Sequence, residues 1–175
     1  MDEEEIDLKK QKKQFLIFCI CVSIFSILVY IVFVPKPVQY DNVQNFKITN
    51  SVITKYLGED TNVELPYVYK LDKKGNAVFG YQYYVRVLDA NAFVENNGIT
   101  RLAISINITQ INDGAFNNLT DLEYIVFRGE MPPQISVTEF DKLTSLKNIY
   151  VYKSNLQNYL NDAVFQTLQD KIKTV

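Results

Sequence analysis

Residues 112–127 read Asn112-Asp113-Gly114-Ala115-Phe116-Asn117-Asn118-Leu119-Thr120-Asp121-Leu122-Glu123-Tyr124-Ile125-Val126-Phe127. A turn-forming Asn-Asp-Gly leads into a phenylalanine, and an apolar ladder follows at Leu122, Ile125 and Phe127. The same arrangement stands one period away on either side. Phe93 lies 23 residues before Phe116 and is followed by Ile99, Leu102 and Ile104; Phe140 lies 24 residues after it and is followed by Leu146, Ile149 and Val151. Self-similarity at such a period is the sequence signature of a solenoid, in which each unit buries its apolar face against its neighbours. In each unit the stretch ending at Ile104, Phe127 or Val151 alternates apolar and exposed positions with β-branched and aromatic residues, which predicts a short strand. The segment around each Phe is expected to be a helical turn or short helix on the opposite side, with Phe93, Phe116 and Phe140 stacked as a structural column.

The quoted stretch resembles one unit of the BspA-like leucine-rich repeats, whose pattern runs roughly I-G-x-x-A-F-x-x-C-x-x-L-x-x-I-x-I-P. Asp89-Ala90-Asn91-Ala92-Phe93 and Thr138-Glu139-Phe140-Asp141-Lys142-Leu143-Thr144-Ser145-Leu146 repeat it less closely. Ile53 to Pro66 resembles the lead-in that precedes the first full unit, and Ile149 to Ile172 the closing cap, so the resemblance covers about residues 50–173. Leu119 and Leu143 stand where the family often has Cys, Asn96 stands at that place in the first unit, and Tyr152 replaces the usual Pro. The resemblance implies an α/β solenoid. It also implies a role in binding, since BspA-like proteins are often surface adhesins that contact host proteins or neighbouring cells.

Residues 15–34 form an uncharged, largely apolar run that is about 30 Å long as a helix, enough to span a bilayer core. Lys9, Lys10, Lys12 and Lys13 precede it and only Lys36 follows closely, which places the N-terminus in the cytoplasm by the positive-inside rule. Phe33-Val34-Pro35-Lys36-Pro37 offers no small-x-small cleavage site, so a retained signal anchor is expected in preference to a cleaved signal peptide. The expected organisation is a charged cytoplasmic tail (1–14), a transmembrane signal anchor (15–34), a linker (35–47) and a repeat domain (48–175). The localisation that follows is that of a type II, single-pass cell-surface protein with an extracellular C-terminal domain. Cys19 and Cys21, the chain's two cysteines, lie two apart within the run and point in different directions on a helix, so no bridge between them is expected.

Two segments depart from the repeat. Tyr67 to Val85 holds Tyr67, Tyr69, Tyr81, Tyr83 and Tyr84 around Asp72-Lys73-Lys74-Gly75-Asn76, which predicts a β-hairpin insertion. Near the C-terminus Leu156, Tyr159, Leu160, Ala163, Val164, Leu168 and Ile172 share one face at helical spacing and predict a capping helix.

The chain has no histidine and no cysteine outside residues 15–34, which removes His-assisted nucleophiles, histidine metal sites and thiol redox chemistry from the remainder. No Walker A, G-x-G-x-x-G or EF-hand motif occurs. With 18 basic against 20 acidic residues and no basic run beyond the N-terminal lysines, nothing points to nucleic acid. Neither enzyme activity nor a cofactor or metal is expected. Asn107-Ile108-Thr109 and Asn118-Leu119-Thr120 are glycosylation sequons.

The expected function is therefore a membrane-anchored, externally displayed module that binds a protein or glycan. An accessory or scaffold subunit of a larger membrane assembly is the alternative. If Leu122, Ile125 and Phe127 point inward, Tyr124, Val126 and Arg128 point out, in rows with Arg101, Ala103, Ser105 and with Asn148, Tyr150, Tyr152. Arg101, Tyr124, Val126, Arg128, Tyr150 and Tyr152 are the candidate binding residues, because Tyr and Arg are enriched at interface hot spots. The alternative is that the tyrosines merely cover the sheet. Tyr67, Tyr69, Tyr81 and Tyr83 of the expected hairpin are secondary candidates.

Overall fold

Apolar residues at every second position, as at Ile125 and Phe127, give an extended chain one buried face, the setting in which β-branched and aromatic side chains favour strands. The segments so patterned form β5 (Arg101–Ile104), β7 (Tyr124–Phe127) and β8 (Asn148–Val151). The structure, a computed structural model, describes residues 43–68, 70–74, 78, 80, 83–95 and 98–175. Together with β3 (Asn62–Glu64) and β9 (Ile172–Thr174) these strands make a parallel five-stranded sheet in the order β3-β5-β7-β8-β9. Its register sets Val63 beside Leu102, then Ile125, Ile149 and Ile172, a row buried against the core.

A second, mixed sheet has the order β1-β2-β4-β6. β1 (Phe46–Thr49) and β2 (Val52–Tyr56) are antiparallel and joined through Asn50 and Ser51, whose φ of 50° and 69° suit the tight hairpin turns with positive φ at both central residues. β4 (Val87–Leu88) and β6 (Gln110–Ile111) add in parallel. One apolar cluster takes side chains from both sheets, including Ile53, Leu88 and Ile111 from the second and Leu102, Ile125 and Ile149 from the first. Phe93, Phe116 and Phe140 all lie within it, and the Phe116 and Phe140 rings meet edge to face at 6.2 Å.

Several expectations are corrected by this arrangement. The expected α/β solenoid gives way to two sheets, one of them mixed, with few and very short helices. Around Phe93 and Phe116 the backbone hydrogen bonds span three residues and do not propagate, as in Ala92 to Asp89 and Ala115 to Asn112, so these segments are turns. Only at the third position does a helix form, α1 (Val137–Asp141), where the Ser136 hydroxyl accepts a hydrogen bond from the Thr138 N–H at the N-cap.

Of the expected hairpin insertion, the described residues show an antiparallel bridge between Val68 and Tyr84 and backbone hydrogen bonds from the Val78 N–H to the Lys70 carbonyl and from the Val85 N–H to the Tyr67 carbonyl; residues 69, 75–77, 79, 81 and 82 lie outside the described residues. The expected capping helix is broken into α2 (Leu156–Leu160) and α3 (Ala163–Gln166), followed by a 3-10 turn at Gln169–Lys171 and by β9. The break comes from Asp162, whose carboxylate accepts from the N–H groups of Val164 and Phe165 and starts a new helix there. Ala163 is consequently exposed and Ile172 is a strand residue. Phe165, which is off the expected face, is fully buried against Phe127, Phe140 and Tyr159.

The expectation of a transmembrane, type II, cell-surface protein is corrected as well: among the described residues no helix is long and apolar enough to cross a membrane. The tail 1–14 and the signal-anchor segment 15–34 lie outside the described residues.

α1 carries a buried charge. Glu139 is fully enclosed, and its Oε1 accepts from the Gly114 N–H at 2.7 Å and from the Lys142 ammonium at 2.6 Å, while Oε2 accepts from the Phe116 N–H at 3.0 Å. In the repeat this position belongs to Ala92 and Ala115; here a carboxylate fastens α1 to the preceding turn. Burial pushes the carboxyl toward its neutral form, but the Gly114 N–H, the Lys142 ammonium and the Phe116 N–H together hold it below the ordinary glutamate value.

Candidate functional site

Side chains alternate across each strand, so the residues between the buried ones of β3, β5, β7, β8 and β9 build the outward face. The register aligns them in two rows. Asn62, Arg101, Tyr124 and Asn148 form the first; Glu64, Ala103, Val126, Tyr150 and Lys173 form the second. The Tyr124 and Tyr150 rings stand 6.2 Å apart and tilted at 41°. Arg101, Tyr124, Val126, Tyr150 and Val175 together line a concavity of about 250 Å³. Four of the six primary candidates thus converge on one depression.

The other two do not. Arg128 reaches across β5 and pairs with Glu64 through both nitrogens, Nη1 to Oε1 at 2.7 Å and Nη2 to Oε2 at 3.0 Å. The bidentate geometry matches a planar guanidinium to a carboxylate. The pair spans β5, in which Ala103 is the register neighbour of Glu64 and is only 5% exposed although it stands in an outward position. Tyr152 is exposed at the start of the 3-10 turn Lys153–Asn155 and does not line the concavity. Ser105, expected in the outward rows, is buried and donates its hydroxyl to the Pro66 carbonyl.

Beside the tyrosines, Lys147 pairs with Glu123 at 2.8 Å and holds its ammonium 5.8 Å from the Tyr124 ring centroid. The Glu123 carboxylate raises the lysine above its ordinary value.

Among the secondary candidates, the Tyr67 ring packs on Tyr84 at 5.3 Å, and the Tyr83 hydroxyl accepts from the Lys70 ammonium at 2.8 Å. Tyr69 and Tyr81 lie outside the described residues. Tyr67 and Tyr83 line neither the concavity nor a larger notch of about 440 Å³ beside β6, which is bounded by Gln110, Ile111, Asn112, Asp113, Gln134, Ile135 and Ser136. Three of the notch's polar side chains are held within the fold: Gln110 donates to Asn112, Asn112 to Asp89, and Ser136 shares a hydrogen bond with Thr138. Among the described residues no cluster of acidic, histidine or cysteine side chains is placed to hold a metal ion. Of the sequons, Asn107 has its amide nitrogen enclosed in the fold without a hydrogen-bond partner, so the folded chain does not present it for modification.

Glu64, Lys173 and Val175 were absent from the sequence-derived site. Glu64 had a readable signal, because Asn62 and Glu64 flank Val63 in strand alternation. Lys173 and Val175 had none once their segment was assigned to a helix.

No protein-family model matches the chain, and no curated protein matches it.

Proposed function

We propose that this chain is a protein-binding module that engages its partner across the outward face of the five-stranded sheet. The observation that carries this reading is the concavity of Arg101, Tyr124, Val126, Tyr150 and Val175, in which two tyrosines and an arginine surround an apolar floor. Tyr and Arg supply large contact areas and directional hydrogen bonds, and they dominate interface hot spots. The sheet beneath is fixed by the buried row Leu102, Ile125 and Ile149, so the face is held rigid before any partner arrives. Membership of the BspA-like family is part of the same proposal, resting on the match at residues 112–127, and a binding role agrees with it.

Incorporating a photo-crosslinking amino acid at Asn148, on the rim of the face, in cells that make the full chain should yield discrete protein adducts on irradiation. The same amino acid at Gln166, an exposed position of α3, should not. Adducts from Gln166 alone would refute the assignment of the face.

A further inference from the structure

We infer that the segment of the partner docked on this face is acidic and carries an apolar side chain beside its carboxylates; the inference rests on the proposed binding role and deepens it. Four cations stand on or beside the outward rows: Arg101, Arg128, Lys147 and Lys173. Two are neutralised within the face, Arg128 by Glu64 at 2.7 Å and Lys147 by Glu123 at 2.8 Å. Arg101 and Lys173 have no carboxylate side chain as partner among the described residues. Arg101 neighbours Asn62 and Tyr124 in the register, and the Lys173 ammonium donates only to the Asp170 backbone carbonyl at 3.4 Å. The face therefore keeps two cations that pair with no side-chain carboxylate among the described residues, within a chain whose formal net charge is −2.

Those charges flank the concavity. Arg101 lines its wall, and Lys173 is in register with Tyr150 on the opposite side. Val126, 6% exposed and in register with Tyr150, lines the concavity beneath the paired tyrosine rings. An apolar side chain seated on Val126 would gain burial against both rings. A neighbouring carboxylate would meet the Arg101 guanidinium, which offers the paired donors that carboxylates accept. Electrostatic complementarity of this kind selects partners and speeds encounter more than it adds affinity. Two surplus cations and no basic stripe are too few for a phosphate backbone, where affinity grows with the number of phosphates neutralised.

The test uses the full chain and fluorescein-labelled peptides read by fluorescence anisotropy: alternating Glu and Leu, alternating Lys and Leu, and alternating Glu and Gly at equal length. The Glu–Leu peptide should bind most tightly and weaken as salt is raised. Arg101→Gln should lower its affinity about tenfold and flatten the salt dependence, with Lys173→Gln acting in the same direction by a smaller factor. Both positions are exposed, and unchanged circular dichroism would show the variants folded.

Equal binding of the Glu–Leu and Lys–Leu peptides, or parental affinity in Arg101→Gln, would overturn the inference. Tighter binding of a single-stranded oligodeoxythymidine than of the Glu–Leu peptide would overturn it in favour of nucleic acid. Adducts from Asn148 in cells alongside failure of the Glu–Leu peptide would defeat the acidic partner and leave the binding role standing; loss of both would defeat both.

Discussion

Replacing Glu139 with alanine should destabilise the fold by about 3–5 kcal/mol, chiefly by leaving without an acceptor the two N–H groups that its enclosed carboxylate holds. The figure follows from what the carboxylate holds. It receives the N–H groups of Gly114 and Phe116 and the Lys142 ammonium from a position with no solvent exposure. Alanine leaves two buried N–H donors unpaired, at about 1–3 kcal/mol each, and partial entry of water offsets part of that. Glu139→Gln keeps one acceptor oxygen but turns an amide N–H₂ toward the other donor, so a smaller loss of about 2 kcal/mol is expected at neutral pH.

The pH dependence separates the charge from the hydrogen bonds. A carboxyl held below its ordinary value of 4.5 contributes stability that is complete above that value and is lost as pH falls through the depressed folded value. Urea denaturation of the full chain, followed by circular dichroism from neutral pH downward, should show the parent and Glu139→Gln far apart at pH 7 and converging below about pH 4. A gap that stays constant across that range, or an alanine variant within about 1 kcal/mol of the parent, would refute the reasoning.

Phe116→Ala truncates a fully buried ring at the centre of the core and should cost about 3–5 kcal/mol, seen as a large fall in melting temperature. Tyr159→Phe removes the hydroxyl that donates to the Gly129 carbonyl at 3.1 Å; because Asn155 Nδ2 donates to the same oxygen at 3.1 Å, urea titration should register only about 0.5–1.5 kcal/mol. Tyr124→Ala and Tyr150→Ala should each weaken partner capture by more than about 1 kcal/mol while the melting temperature stays near that of the parent, and folded variants that bind like the parent would exclude the face.

The three central strands β5, β7 and β8, with Arg101, Tyr124, Val126, Asn148 and Tyr150 on their outward side, were legible because period-two alternation of β-branched and aromatic residues matches the two faces of a strand and fits no helical stripe. β1 and β2 were not. A bulge between Lys47 and Ile48 shifts the register, so apolar residues in this hairpin fall at Phe46, Ile48, Val52, Ile53 and Tyr56 without clean alternation. Near the C-terminus, Leu156 to Ile172 fits a helical period when read as one segment, and nothing in that period reveals that Asp162 restarts the chain. The misreading hid both the burial of Phe165 and the strand that brings Lys173 and Val175 to the site. Among the candidate residues, Arg101, Tyr124, Val126 and Tyr150 could be found because strand alternation is local. The engagement of Arg128 by Glu64 could not, since it joins residues far apart in sequence and only the order β3-β5-β7 brings them together.

In the proposed binding role, the Arg128–Glu64 pair bears on the entropy of recognition. Arginine and glutamate are rotamer-rich, and freezing such a side chain at an interface costs about 0.5–1.5 kcal/mol. Arg128 and Glu64 already hold one another through two contacts, so a partner of the proposed kind would meet this rim set in place. Arg101 has no such ion pair among the described residues and would be ordered as that partner docks. The face thus sets a paired arginine beside one without a side-chain counterion, and loss of the Glu64 carboxylate would leave both to be ordered on docking without altering any residue that lines the concavity.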